Sequence, residues 1–292
     1  MNNKLIVELR SMTGVGFMDC KKALIESGND LDKAVIFLRE KGLATQIKKS
    51  DRETNEGVVT SLVTYSPHLD AHIGIILEVN CETDFVAKNN EFKAFISSLI
   101  HVILQDSINS VDELLPCCII NPNSDLTVNE ELQNLIIKFG ENIKIRRLKR
   151  IIGENIFNYN HDDRIGVLLN LESKIRYNDE LRMLGKDICL QIASMNPTYL
   201  DNQSIPLDII QEEKNILIDQ MMNDPKMMSK PENIRMKIAD GRLHKFYSEN
   251  CLMEQKFIKD DSVTVATHIN SAIKLIGKHI EVAEFIRYER GK

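Results

Sequence analysis

The sequence predicts an α+β protein with three parts: an N-terminal bundle of three short helices, a duplicated strand–helix core with antiparallel sheets, and an inserted antiparallel helical hairpin. Three observations carry this expectation. Helical patterns separated by glycine turns fill the N-terminal stretch 1–44. Ile73-Gly74-Ile75-Ile76-Leu77 recurs as Ile165-Gly166-Val167-Leu168-Leu169, and each copy precedes a helix opening on an acid and an apolar residue, Glu91-Phe92 and Glu180-Leu181. After Ile205-Pro206, two long helical patterns are divided by Asn-Asp-Pro, the signature of a helical hairpin.

In the N-terminal part, Leu5, Ile6 and Leu9 have helical spacing between Lys4 and Arg10, and Thr13-Gly14-Val15-Gly16 breaks the run. A second helix fits Met18 to Glu26 and closes on Ser27-Gly28-Asn29. A third runs from Asp30 to Lys41 with Gly42 as its stop, and Asn29 or Asp30 can cap its first turn. The expected core of this bundle is Ile6, Leu9, Ala23, Leu24, Val35 and Leu38. The charged stretch 45–56 reads as a connector.

Val58 to Tyr65 and His72 to Asn80 are rich in Val, Ile, Thr and Leu, so they read as two strands joined by a turn. Apolar residues at 92, 95, 96, 99, 100, 103 and 104 predict a helix over 91–104. Further helices are expected near 128–139, 207–222, 231–248 and 263–276, with a strand near 279–288. The expected partition is 1–44, connector 45–56, one core half over 57–160, the other over 161–204 with 250–292, and the hairpin over 205–249. Between the duplicated strand and its helix, the first copy carries CETDFVAKNN and the second only SKIRYND. The shared architecture does not demand the longer connection, and loops on a rigid scaffold are where binding residues collect.

Composition excludes several classes. With 292 residues, 43% hydrophobic and 27% charged, the chain suits a folded multi-domain protein rather than a disordered one. No apolar run reaches the roughly 18 residues of a membrane span. Thirty-seven Lys and Arg against 43 Asp and Glu leave a charge of −6, which disfavours coating nucleic acid through overall charge. Cysteines at 20, 81, 117, 118, 189 and 251 form no C-x-x-C pair, which fits a reduced, cytoplasmic setting. The start, MNNKLIVELR, has neither a signal-peptide apolar region nor transit-peptide character.

The chemistry of an enzyme is not evident. There is no P-loop, and Gly14-Val15-Gly16 lacks the third glycine and preceding strand of a dinucleotide site. His68 and His72 lie in a turn and a strand, where a spacing of four gives no common face, so no metal is expected there. Cys81 stands beside Glu82 and Asp84, which disfavour a thiolate, and it reads as a half-buried residue at a strand end; Cys117 and Cys118 read as packing residues. Two features stay open on pattern alone. The imperfectly alternating strand with Lys144, Arg146, Arg147, Lys149 and Arg150 is a solvated face or a contact for an acidic protein or RNA. The methionines at 221, 222, 227 and 228 are loose packing at the hairpin tip or an adaptable contact surface.

Longer motifs go further. LRSMTGVGFMDCKKAL at 9–24 resembles the N-terminal signature of the translation elongation factor Ts family, and ILEVNCETDFVAKN at 76–89 its second signature. GENIKIRR at 140–147, RIGVLLNLE at 164–172 and FIRY at 285–288 continue the family order along nearly the whole chain. The resemblance implies a cytoplasmic guanine-nucleotide exchange factor for elongation factor Tu, with no covalent chemistry, cofactor or nucleotide site of its own. It also implies that the N-terminal bundle is ubiquitin-associated-like (UBA-like).

By the same resemblance, Thr83, Asp84, Phe85 and Val86 push into the partner's GTPase domain and disturb its magnesium site. Arg10, Phe17, Met18 and Lys21 touch that same domain, and His161 touches a second one. Phe17 stands where many members have Met. The extra C-terminal helix of some members is expected to be absent after Arg290-Gly291-Lys292, and the hairpin's part in self-association stays open. The rival reading from the residues is a scaffold or RNA-binding protein that uses the basic strand 143–152.

Overall fold

The computed structural model describes residues 3–13, 15–119, 126–175, 178–223 and 231–292, with 43–48 described by backbone alone. Gly14 of the first turn, and Met227 and Met228 of the methionine group, lie outside them.

Three helices, α1 (Asn3–Thr13), α2 (Phe17–Glu26) and α3 (Leu31–Lys49), form the N-terminal bundle. Its core is Ile6, Leu9, Val15, Cys20, Ala23, Leu24, Ala34 and Leu38, with Val35 partly buried. The Asp30 carboxylate accepts from the Lys33 N–H at 3.0 Å and so caps α3.

The third helix does not stop at Gly42. It continues through residues 45–49, which the sequence reading assigns to the connector. The reason is tertiary: a Cβ on Gly42 would lie 2.7 Å from Ile137 Cδ1. Ile137 belongs to α7 (Val128–Phe139), which packs along α3. Glycine disfavours a helix interior by about 1 kcal/mol, and here its missing side chain lets the two helices approach.

The core contains two three-stranded antiparallel sheets, accompanied by the one-turn helix α6 (Val111–Leu114) and a small ribbon of β6 (Lys256–Phe257) and β7 (Asp260–Thr264). In the first, β2 (Ala71–Cys81) lies between β1 (Glu56–Ser66) and β3 (Ile143–Gly153); in the second, β5 (Ile165–Ser173) lies between β4 (Asn155–His161) and β8 (Ile280–Glu289). Thus the duplicated segments are the two central strands. Their near-continuous apolar runs follow from burial on both faces. Ile73, Ile75, Leu77, Val79 and Cys81 face a cluster with α5 (Asn90–Gln105) and α7. Val167, Leu169 and Leu171 face α8 (Asp179–Met195), joined there by Val265 and Ile269 of α11 (Val265–Ile276).

The opposite faces meet each other. Ile76 and Ile151 of the first sheet pack with Ile156 and Leu168 of the second. The paired glycines let the sheets come close: a Cβ on Gly74 would meet Ile156 Cγ2 at 2.8 Å, and one on Gly166 would meet Val59 Cγ1 at 2.9 Å. The duplication extends to an irregularity. The register slips at Glu78/Val79 in β2 and at the equivalent Asn170/Leu171 in β5.

Strand β4 was not expected from the sequence. Residues 155–160, grouped with the first half by sequence, pair with the second sheet. Asn155, Asn158 and Asn160 depress strand propensity locally, but cross-sheet bonds offset this. Asn160 Oδ1 accepts from Ser61 N at 2.8 Å and Ser61 Oγ at 2.7 Å, while the amides of Asn158 and Asn160 donate to Ser61 O at 3.0 and 2.8 Å.

The hairpin follows as α9 (Leu207–Met222) and α10 (Glu232–Asn250), the two helices in contact. Among its described residues Leu217 and Met221 are buried, whereas Met222 and Met236 are exposed. No helix among the described residues is long and apolar enough to cross a membrane.

Candidate functional site: a one-turn helix that presents Phe85

The segment that the sequence leaves as a loop after β2 holds a one-turn helix, α4 (Asp84–Ala87). Its sides differ sharply: Val86 is 6% exposed and Ala87 is buried in the core, while Phe85 is 83% exposed. Successive residues on a helix point about 100° apart, so seating Val86 and Ala87 turns Phe85 outward. A large aromatic held on the surface is unusual, because burying a side chain of that size stabilises by roughly 1.5–3 kcal/mol.

Several polar side chains beside α4 are held by neighbours. Asp84 pairs with Lys88 at 2.6 Å, and the hydrogen bond and charge of that lysine hold its carboxyl below the usual range. Thr83 donates twice to Glu141: its N–H to Oε2 at 3.0 Å and its hydroxyl to Oε1 at 2.6 Å. Glu82 Oε1 accepts from the N–H of Asn142 at 2.6 Å, and Asn142 Nδ2 donates to Arg52 O at 3.0 Å. Cys81 Sγ donates to Thr83 O at 3.1 Å. Cys81 is fully buried rather than half-buried, and burial first, then the charges of Glu141 and Glu56, push its thiol up to about 12.

The N-terminal residues singled out by sequence lie on the bundle's outer surface: Arg10 near the end of α1, and Phe17, Met18 and Lys21 on α2. Phe17 and Met18 are 42% and 69% exposed. The bundle shares its support with α4. Arg39 of α3 pairs with Glu130 of α7 at 3.1 Å, Lys49 donates to Gly140 O, and Glu141 follows directly.

His161 is the last residue of β4, at the turn into β5. Asp162 and Asp163 both have positive φ, 50° and 54°, and Arg164 N donates to His161 O at 2.9 Å, a tight turn over 162–164 between His161 and its strand partner Ile165. Val59 N donates to Asp163 O at 2.8 Å and Lys93 of α5 pairs with Asp163 at 2.7 Å, so the turn is anchored to the first half of the core. The His161 ring stacks near Tyr159 and stays exposed. The expected residues therefore fall in three separate stretches of one connected scaffold, with Phe85 exposed, Thr83, Asp84 and Lys21 half-buried, and Val86 buried in the core.

The basic strand is less available than its composition suggests. Because of the slip opposite Glu78, Arg146 and Arg147 both turn toward that fully buried carboxylate, at 3.6 and 2.7 Å. The slip also explains the imperfect alternation. Lys144, Arg146 and Lys149 keep exposed side chains, while Arg147 and Arg150 are half-buried. No cluster of His, Cys, Asp and Glu able to hold a metal occurs among the described residues. Cys118, read as a packing residue, is exposed, and its backbone bridges to Thr127.

Residues 82–292 match the family described as Elongation factor TS. The chain belongs to that family. It is 41% identical to the elongation factor Ts of Clostridium acetobutylicum over 290 residues, covering 98% of this chain and 91% of that protein. To the elongation factor Ts of Clostridium kluyveri it is also 41% identical, over 99% of this chain and 92% of the relative. The corresponding Clostridium novyi protein is 40% identical over the same shares. The matched family region starts at Glu82, so it contains α4, Glu141 and the whole second sheet, while the N-terminal bundle and strands β1 and β2 are covered by the full-length relatives.

Proposed function

We propose that this chain is a cytoplasmic guanine-nucleotide exchange factor for elongation factor Tu, accelerating GDP release by inserting Thr83–Val86 near the partner's magnesium site. The observation that carries this reading is the exposure of Phe85 on a helix whose next two residues are seated in the core. GDP is held by protein donors and by Mg²⁺ that neutralises its phosphates. An exchange factor has to weaken those contacts without replacing them permanently. Phe85 supplies apolar area for a partner pocket, and Asp84 supplies a carboxylate that competes for polar groups near the metal.

Because coupling is reciprocal, the factor lowers GDP affinity by the ratio in which GDP lowers affinity for the factor. A coupling of about 4 kcal/mol corresponds to nearly a thousandfold change. The chain makes and breaks no covalent bond in this process, and GTP enters by mass action. Arg10, Phe17, Met18 and Lys21 hold the GTPase domain, His161 touches a second domain of the partner, and the exposed methionines of the hairpin offer a surface for self-association.

The test is release of a fluorescent GDP analogue from elongation factor Tu, chased with excess GDP, with and without this chain at two salt concentrations. Strong acceleration with modest salt dependence supports the reading. Absence of acceleration, together with RNA binding that weakens steeply with salt and depends on Lys144, Arg146 and Lys149, replaces it with the scaffold or RNA-binding reading.

A further inference from the structure

We propose that Glu141 is a positioning residue for nucleotide exchange: its carboxylate fixes Thr83, and through Thr83 it sets the direction in which α4 presents Phe85, an assignment that rests on the exchange-factor reading above. Helix α4 is weak by itself. A single turn forms few internal hydrogen bonds, and isolated helices shorter than about 12 residues are marginal in water. Thr83 occupies the N-cap position, where a hydroxyl ordinarily accepts from the helix's own first turn. It makes no such capping bond. Its hydroxyl and its N–H both point to Glu141 instead, at 2.6 and 3.0 Å.

The neighbouring pair completes a reciprocal clasp. Glu82 Oε1 accepts the Asn142 N–H at 2.6 Å, so each of two adjacent chain segments gives a backbone N–H to a carboxylate of the other. Bonds to ionised acceptors are about twice as strong as neutral ones. The anchor is firm because Glu141 follows the left-handed cap Gly140 at the end of α7, the helix against which α3 packs. The N-terminal bundle and the Phe85 helix are thus referred to one support, and displacement of a reacting group by about 1 Å can cost a hundredfold in rate.

Without the clasp Phe85 remains on the surface, and the first encounter through the N-terminal bundle and the His161 turn is unchanged. What is lost is the preset direction of the aromatic side chain. The saturating rate of GDP release should therefore fall more than the half-saturating concentration of the factor rises.

The test is stopped-flow release of a fluorescent GDP analogue from elongation factor Tu across a concentration series of native chain, Glu141→Ala, Glu141→Gln, Thr83→Val and the double variant Thr83→Val/Glu141→Ala. Glu141→Ala is expected to lower the saturating rate about tenfold or more, with the half-saturating concentration within about threefold of native. Glu141→Gln, which retains an acceptor for the Thr83 N–H and an amide donor for its hydroxyl, should recover most of the rate. The double variant should be no slower than Glu141→Ala, as expected for partners in one interaction. Hydrogen exchange of the amides at 82–88 should accelerate in Glu141→Ala.

A Glu141→Ala variant as fast as native at saturation, or one altered only in half-saturating concentration, overturns the proposal. So does a Glu141→Gln variant no better than alanine. If Glu141→Ala fails to fold, Thr83→Val, which removes only the hydroxyl bond, decides by the same criteria. Failure of the native chain itself to accelerate release overturns the exchange reading and this role with it. Acceleration by native that survives loss of Glu141 overturns the positioning role alone.

Discussion

Arg147 and Glu78 form an ion pair across neighbouring strands, with Arg147 Nε 2.7 Å from a carboxylate that is fully buried. The other carboxylate oxygen accepts from Gly291 N at 2.8 Å and Asn80 Nδ2 at 3.0 Å, and the guanidinium lies 4.1 Å from the centre of the Tyr288 ring. The pair therefore ties the C-terminal residues to the first sheet, and its arginine serves the fold from within a strand that looks by composition like a nucleic-acid contact.

Breaking that pair leaves a buried carboxylate short of one partner, with Arg146 at 3.6 Å as partial replacement. Arg147→Ala should lower unfolding free energy by about 3 kcal/mol, seen as a lower urea midpoint with an unchanged slope. Added salt should change this loss little, because buried pairs are poorly screened.

Glu289 gives the fold an acid limit. Burial pushes its carboxyl up, but hydrogen bonds from Lys292 and Arg287, the charge of Arg287 and a bond from Arg164 outweigh it and hold the group at about 2 instead of 4.5. The folded state thus binds this proton less readily than the unfolded chain. The resulting stabilisation is complete above about 4.5 and is lost as pH falls toward 2. Glu289→Gln should flatten that part of the stability–pH curve in urea titrations between pH 5 and about 2.

The close approach of the two sheets makes the duplicated glycines intolerant of a methyl group. Gly74→Ala would bring a Cβ within 2.8 Å of Ile156 and 3.2 Å of Leu168; Gly166→Ala would bring one within 2.9 Å of Val59 and 3.2 Å of Ile76. Each should destabilise by about 1–3 kcal/mol through overpacking. Thermal unfolding should show both losses, and an Ala at exposed Gly241, which meets nothing within 4 Å, serves as the control.

Thiol modification should separate the six cysteines by burial. Cys118 is exposed and Cys117 half-buried, whereas Cys20, Cys81, Cys189 and Cys251 are buried. Burial raises the thiols of Cys189 and Cys251, the latter to about 12. Iodoacetamide on the native protein should label Cys118 first, and peptide mass mapping should find the four buried thiols alkylated only after denaturation.

The duplicated strands, the first hairpin and most helices were legible because each has a strong local signal. The apolar spacing from Phe92 to Leu104 reports one buried helix face, and the repeated apolar string of Ile73–Leu77 and Ile165–Leu169 reports the duplication. Other elements depend on distant partners. The Asn-rich β4 is held by Ser61, α3 passes through Gly42 because of Ile137, and the basic strand is rearranged by a register slip opposite Glu78. The candidate site divides the same way. Sequence motifs pointed to Thr83–Val86, yet the helical turn that exposes Phe85 and the carboxylate of Glu141 that receives Thr83 arise from contacts far apart in the chain.

The proposed mechanism has exposed Phe85 drive GDP release. It is tested most directly by comparing release of a fluorescent GDP analogue from elongation factor Tu in the presence of native chain and of Phe85→Ala, with melting curves to verify folding. Since Phe85 is 83% exposed, truncation should leave stability within about 0.5 kcal/mol of native. Loss of 1.5–3 kcal/mol of apolar contact should slow the accelerated release by roughly ten- to a hundredfold. Acceleration by a folded Phe85→Ala variant equal to that by the native chain would contradict the account and move the cause of exchange to the N-terminal contacts.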